Sequence, residues 1–233
     1  MRNTTSKLFF SFLYPALFVL IIWGVKLFEI VEQVNLSWYG LFPRRFDGLI
    51  GIATAPLLHG DLPHLISNTF PLLVLGPIIF YFYRAIAFNV FFWVYIMTGV
   101  WVWAAGGEAY HIGASGIIYG FITFLFFSGV FRKDARLLAL SLFVTFLYGG
   151  AVWGVLPFQK GISWESHMLG SLAGLITAYN FRKEGPPPRK YDFGDEAENE
   201  KIDVSGDEQF IHEEEPPNRL SVNYTFIEKD KEE

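Results

Sequence analysis

The 233-residue chain is 52% hydrophobic and 18% aromatic, with a mean hydropathy of +0.32, too apolar for an ordinary soluble domain, and it reads as a polytopic membrane protein. Its net charge of −5 hides two unlike parts: residues 1–183 hold 12 Lys and Arg against 7 Asp and Glu, whereas residues 184–233 hold 6 against 16. The absence of cysteine excludes disulfides, thiolate metal sites and a cysteine nucleophile, and the lack of a basic face, a P-loop or a G-x-G-x-x-G argues against nucleic acid and nucleotides.

A membrane helix needs about 20 mainly apolar residues, and six runs approach that length: 8–28, 64–83, 88–105, 115–131, 136–156 and 167–181. The expected fold is all-α, a six-transmembrane-helix bundle over residues 1–183 with a tail over 184–233. No small-residue cleavage site closes the first run, so it reads as a retained helix rather than a removed signal. The loop from Glu29 to Pro63 carries Trp38, Tyr39, Phe42 and Phe46 among charges, which suits the outer interface, where amphipathic aromatics collect. The fourth and sixth runs are short and should begin below the surface or pack inside the bundle. The piece 157–165, with Gly161 and Trp164, is a polar cover directly before His167, and such a segment can act as a lid. Gly185-Pro186-Pro187-Pro188 stops any helix, and the acidic segment beyond it reads as a disordered cytoplasmic tail, with Ser221–Ile227 its one strand-like stretch.

Charge orients the runs. If six helices alternate, Arg2, Lys7, Arg84, Arg132, Lys133, Arg136, Arg182 and Lys183 fall on one side, against Lys26, Arg44, Arg45 and Lys160 on the other. The positive-inside rule then puts both termini in the cytoplasm, and the pattern suits a bacterial inner membrane. The second, fourth and sixth runs consequently start at the outer side, which brings His64, Asn68, Ser115 and His167 to one depth on one face of the membrane.

Ser115 lies in Gly113-Ala114-Ser115-Gly116 at the mouth of an apolar run. A serine there can simply bond back to a carbonyl one turn earlier, but an ionisable residue within the membrane is by default a functional-site candidate, and His167 is one. Serine needs a base to take its proton. No acidic residue stands near His167 in sequence apart from loop residues, so a two-residue Ser115/His167 arrangement is expected rather than a triad. The spacing His167-x-x-Gly170-x-x-x-Gly174 lets a neighbouring helix come close, and the Ser115 helix offers Gly116 and Gly120 for that approach. Tyr119, one turn beyond Ser115, either stacks on the imidazole or is an ordinary bundle tyrosine. His64 and Asn68, four residues apart, project toward one point as oxyanion donors, with the Ser115 N–H as a third. His59 belongs to the loop above. A metal reading of His59, His64, His111 and His167 competes, but it lacks a carboxylate set or an H-E-x-x-H and leaves the serine motif unexplained. No metal or other cofactor is therefore expected.

Taken together, Gly113-Ala114-Ser115-Gly116, His167-x-x-Gly170-x-x-x-Gly174 and His59-x4-His64-x3-Asn68 resemble the motifs of the rhomboid intramembrane serine proteases, in the same order. The resemblance covers residues 8–183. It implies a Ser115/His167 dyad, an oxyanion hole from His64, Asn68 and the Ser115 N–H, Tyr119 packed on His167, a fifth helix that moves as a gate and a cap over the site at 157–165. The chain departs from the family in two places. Ser166 stands where alanine is usual, and Phe42-Pro43-Arg44-Arg45 occupies the region of the family's Trp-Arg pair.

The activity so implied is hydrolysis of peptide bonds in or beside transmembrane helices of protein substrates within the lipid bilayer. The alternative is a catalytically inactive rhomboid-like protein that binds membrane clients, although such relatives typically lack the serine or the histidine that this chain keeps.

Overall fold

A computed structural model describes residues 4–147, 156 and 163–186, all within a unit spanning Met1–Arg189. The polar cover at 157–162, the end of the fifth run and the acidic tail beyond residue 186 lie outside the described residues. Among the described residues, the structure has six longer helices, α1 (Thr4–Glu32), α3 (Leu62–Phe82), α4 (Ala87–Ala105), α5 (Ser115–Arg132), α6 (Ala135–Leu147) and α7 (Trp164–Asn180), together with short pieces that include the single turn α2 (Gly51–Thr54). Among the described residues there is no strand, only an isolated bridge between Leu41 and His111.

The chain is apolar outside as well as inside. Phe9, Leu20, Phe28, Phe70, Phe92 and Phe146 are exposed, while Leu75, Ile79, Val90, Val94 and Phe124 are buried. A bilayer is the solvent that such a surface requires. Among the described residues, four helices are long and apolar enough to cross it: Ser6–Glu32 within α1, and α3, α4 and α5 in full. The protein is an integral membrane protein.

The helix starts differ from the apolar runs for a local reason. Asp61 caps α3 by accepting the His64 N–H at 2.7 Å, and Ser163 caps α7 by accepting the Ser166 N–H at 3.3 Å. Helix α7 therefore begins at Trp164 rather than His167, and Glu165, expected in the loop, occupies its first turn, where the helix dipole favours a carboxylate. His167 stands one turn inside.

Helix α5 is the centre of the bundle and packs on α3, α4, α6 and α7. Against α7 it is flanked by glycines: a Cβ on Gly170 would lie 2.1 Å from the Gly116 oxygen and one on Gly174 2.1 Å from the Gly120 oxygen. Only bare Cα atoms allow the two backbones to run this close, in parallel. Helix α1 seats Pro15 on Gly76 of α3 and donates from Trp23 Nε1 to Thr69 Oγ1 at 3.0 Å.

The first loop is folded onto the entrance of α5. Leu41 exchanges both backbone hydrogen bonds with His111, at 2.8 and 3.0 Å, and Gly113 donates to the Ala55 carbonyl at 2.8 Å. Arg44 takes the role of loop anchor in Phe42-Pro43-Arg44-Arg45. Its N–H bonds the Trp103 carbonyl at 2.9 Å, its guanidinium bonds the Gly106 carbonyl at 2.6 Å, and Trp103 Nε1 returns a bond to the Arg45 carbonyl. At the opposite end of the bundle, Arg132 donates to the carbonyls of Arg182, Glu184 and Pro186 and ties the chain after α7 to the end of α5.

Candidate active site

The N-terminal ends of α3, α5 and α7 open on one cavity of about 720 Å³ whose lining includes His64, Asn68, Ser115, Tyr119, Ser163 and His167. Ser115 is the first residue of α5, so its N–H is one of the donors a helix start leaves without an intrahelical partner. The approach to it is set by Gly113, whose φ of +104° suits glycine and whose added Cβ would fall 2.7 Å from the His64 ring.

The Ser115 hydroxyl and His167 Nε2 are 2.8 Å apart. Tyr119 stacks on the same imidazole, with centroids 4.1 Å apart and planes within 10°. The ring is thus held from the face by Tyr119 and from the edge by Ser115. This contact and the Gly116–Gly170 approach are two rungs of one ladder between α5 and α7.

Across the cavity His64 is held by its capped N–H and by an edge-to-face contact with His59, at 5.0 Å between centroids. Asn68 is buried one turn deeper and gives one amide hydrogen to the His64 carbonyl at 3.0 Å. Its NH₂ has a second hydrogen to give.

His59 lies behind His64 and is 1% exposed. Neither of its ring nitrogens meets a hydrogen-bond partner among the described residues, and burial, with the nearby His64 adding to it, pushes its pKa down to about 4. Its carbonyl and that of Gly60 accept from Lys26 Nζ at 2.9 and 3.1 Å. Lys26 in turn pairs with the buried Glu29 at 3.1 Å, whose other oxygen accepts the Leu36 N–H.

Sequence reasoning passed over three features that the structure brings to this region. Lys26 and Glu29 brace the loop before His64. His111, weighed only as a metal ligand, faces Ser163 Oγ through Nδ1 at 2.5 Å and the Gly107 carbonyl through Nε2 at 3.0 Å. Ser163 is joined to Ser166 at 2.6 Å. Ser163 as an N-cap residue before an apolar run, with Glu165 in the first turn, was a readable helix-start signal; the His111 contact, which spans 52 residues, had none. Beyond the His59–His64 contact, among the described residues no group of three or more His, Cys, Asp or Glu is placed to hold a metal ion.

Residues 47–184 match the family described as Rhomboid domain. The chain is 35% identical over 175 residues to uncharacterized proteins of Mycobacterium tuberculosis and Mycobacterium bovis, an alignment covering 70% of this chain and 71% of each of them. To an uncharacterized protein of Mycobacterium leprae it is 34% identical over 175 residues, covering 70% of this chain and 68% of that one.

Proposed function

The chain belongs to the rhomboid family, and from that membership we propose that it is an intramembrane serine endopeptidase that cuts membrane-protein substrates in or beside their transmembrane helices. The single observation that carries the reading is the 2.8 Å contact between Ser115 Oγ and His167 Nε2 at the wall of the cavity.

His167 Nε2, unprotonated, takes the Ser115 proton as Oγ attacks the scissile carbonyl. The carbonyl oxygen gains charge and is met by the Ser115 N–H, the free amide hydrogen of Asn68 and the His64 ring. The imidazolium returns its proton to the departing amine, and an acyl group stays on Ser115. Water entering through the cavity is then deprotonated by His167 and releases the acyl group, restoring the hydroxyl. Tyr119 holds the imidazole plane through these transfers. No step calls for a metal or another cofactor.

A helical carbonyl is engaged in its own hydrogen bond, so the substrate must unwind locally before it can enter. Helix-weakening residues near the outer interface are the expected cleavage context. The accompanying topology is six spans over residues 1–183, both termini in the cytoplasm and the acidic segment 184–233 as a separate cytoplasmic tail. The mycobacterial relatives favour a bacterial inner membrane.

The test is co-reconstitution in liposomes with a panel of single-span reporter proteins, with and without a glycine or proline in the outer third of the span. The reading expects cleavage that depends on Ser115 and rises with the helix-breaking residue. Stable reporter binding without cleavage, unchanged in Ser115→Ala, would establish the client-binding alternative instead.

A further inference from the structure

We propose that His111 is a positioning residue for His167, acting through Ser163, and that the His111–Ser163 bond fixes how the helix bearing the base meets the helix bearing the nucleophile. The inference rests on the reading of Ser115 and His167 as the reacting pair.

The hydrogen bonds around His111 leave a single neutral arrangement. The Gly107 carbonyl can only accept, so the Nε2 facing it at 3.0 Å carries the proton. Nδ1 is then an acceptor, and Ser163 donates its hydroxyl hydrogen to it across 2.5 Å. The Ser163 oxygen, its proton so directed, keeps both lone pairs for α7: it accepts the Ser166 N–H at 3.3 Å and the Ser166 hydroxyl at 2.6 Å. His111 thereby orients the capping group of α7. The Ser163 carbonyl also accepts the His167 N–H at 3.4 Å, so Ser163 meets the backbone of the base itself.

His111 is equally fixed on its other side. Its backbone exchanges two hydrogen bonds with Leu41, and Gly113, two residues on, is tied to Ala55. The residue is 5% exposed, so solvent does not compete for its ring nitrogens. The geometry has a simple register: His111 precedes Ser115 by four residues and Ser163 precedes His167 by four, while His111 bonds Ser163 and Ser115 bonds His167. The His111–Ser163 link therefore joins the residues that lead into α5 and α7, one step before the Ser115–His167 contact and the glycine rungs. The serine at 166, where the family usually has alanine, extends this link by one hydroxyl.

The experiment measures the second-order rate at which a fluorophosphonate probe labels the full-length protein in detergent, together with its thermal midpoint, for the parent, Ser163→Ala, His111→Leu and His111→Asn. The asparagine introduced by His111→Asn can place its Oδ1 where Nδ1 stood and accept from Ser163. Loss of the link is expected to lower the labelling rate of Ser163→Ala and His111→Leu by about 10–100-fold, the scale of a misplaced reacting group. This loss should appear at a temperature where every variant is fully folded, and His111→Asn should recover most of the rate. If His111→Leu does not fold, Ser163→Ala, which deletes one hydroxyl, still decides. Parental rates in Ser163→Ala would overturn the inference, as would equal losses in His111→Asn and a folded His111→Leu. A parent that is not labelled at all would instead overturn the protease reading, and this inference with it.

Discussion

A Cβ on Gly170 would lie 2.1 Å from the Gly116 carbonyl oxygen, so α5 and α7 touch backbone to backbone one residue past Ser115 and three past His167. The glycines set the distance at which hydroxyl and imidazole meet. Gly170→Ala must separate the helices at this point, and a reacting pair displaced by an ångström loses about 10²-fold in rate, while overpacking destabilises by about 1–3 kcal/mol. Fluorophosphonate labelling and the thermal midpoint should both fall. Parental labelling in Gly170→Ala would show that the ladder does not set the dyad distance.

Asn68→Ala is expected to lower kcat by about 10²–10³ with little change in KM, because the interaction strengthens only as the oxyanion forms. Steady-state cleavage of a reporter in liposomes reads it. A raised KM at constant kcat would remove Asn68 from the oxyanion role.

His59 carries a pH-dependent part of the stability. Its folded pKa of about 4 lies below the ordinary 6.5, so the native state holds it neutral while the unfolded chain takes up a proton. The contribution is complete above pH 6.5 and is lost as pH falls from there toward 4, by at most about 3 kcal/mol. Thermal midpoints, compared between about pH 7.5 and about pH 5 on either side of the ordinary histidine range, should drop further for the parent than for His59→Phe. Equal drops would mean that His59 is not held neutral by the fold.

Lys26, partly buried, pairs with the buried Glu29 and is tied to the His59 and Gly60 carbonyls. Lys26→Met leaves Glu29 buried with only the Leu36 N–H as partner among the described residues, and the thermal midpoint should fall, by less than the roughly 3–5 kcal/mol that breaking a fully buried pair costs. The double variant Lys26→Met/Glu29→Leu should recover much of the thermal midpoint. A Lys26→Met protein as stable as the parent would show that the pair does not brace the loop.

What the sequence made readable, and what it did not, divides along the range of the signals. The helices α1, α3, α4 and α5 follow apolar runs within a few residues, because length and composition suffice for a chain that must satisfy its backbone in lipid. Ser115, His167, His64, Asn68 and Tyr119 line one cavity; Ser115, His167 and His64 had been singled out by type at a run's start, and Asn68 and Tyr119 by i, i+4 spacing from His64 and Ser115. The start of α7 was misjudged by three residues because hydropathy ignores Trp164, Glu165 and Ser166, whereas the Ser163 cap does not. The His111–Ser163 bond and the grip of Lys26 on the His59 carbonyl join residues 52 and 33 positions apart, and no periodicity encodes such pairs. They follow from the way the first loop folds onto the bundle, and that is a tertiary fact.

If Ser115 is the nucleophile of the proposed protease, its activation must require His167. The most direct test is fluorophosphonate labelling of the purified protein, in detergent and in lipid, beside Ser115→Ala and His167→Ala. Ser115→Ala removes one hydrogen bond, a cost of about 1 kcal/mol, whereas His167→Ala also removes a buried ring stacked on Tyr119, so the thermal midpoint of each variant is measured beside its labelling. The parent should take the label, and labelling should disappear in both variants. Labelling that survives in His167→Ala, or a well-folded parent that takes no label in either medium, would contradict that reading.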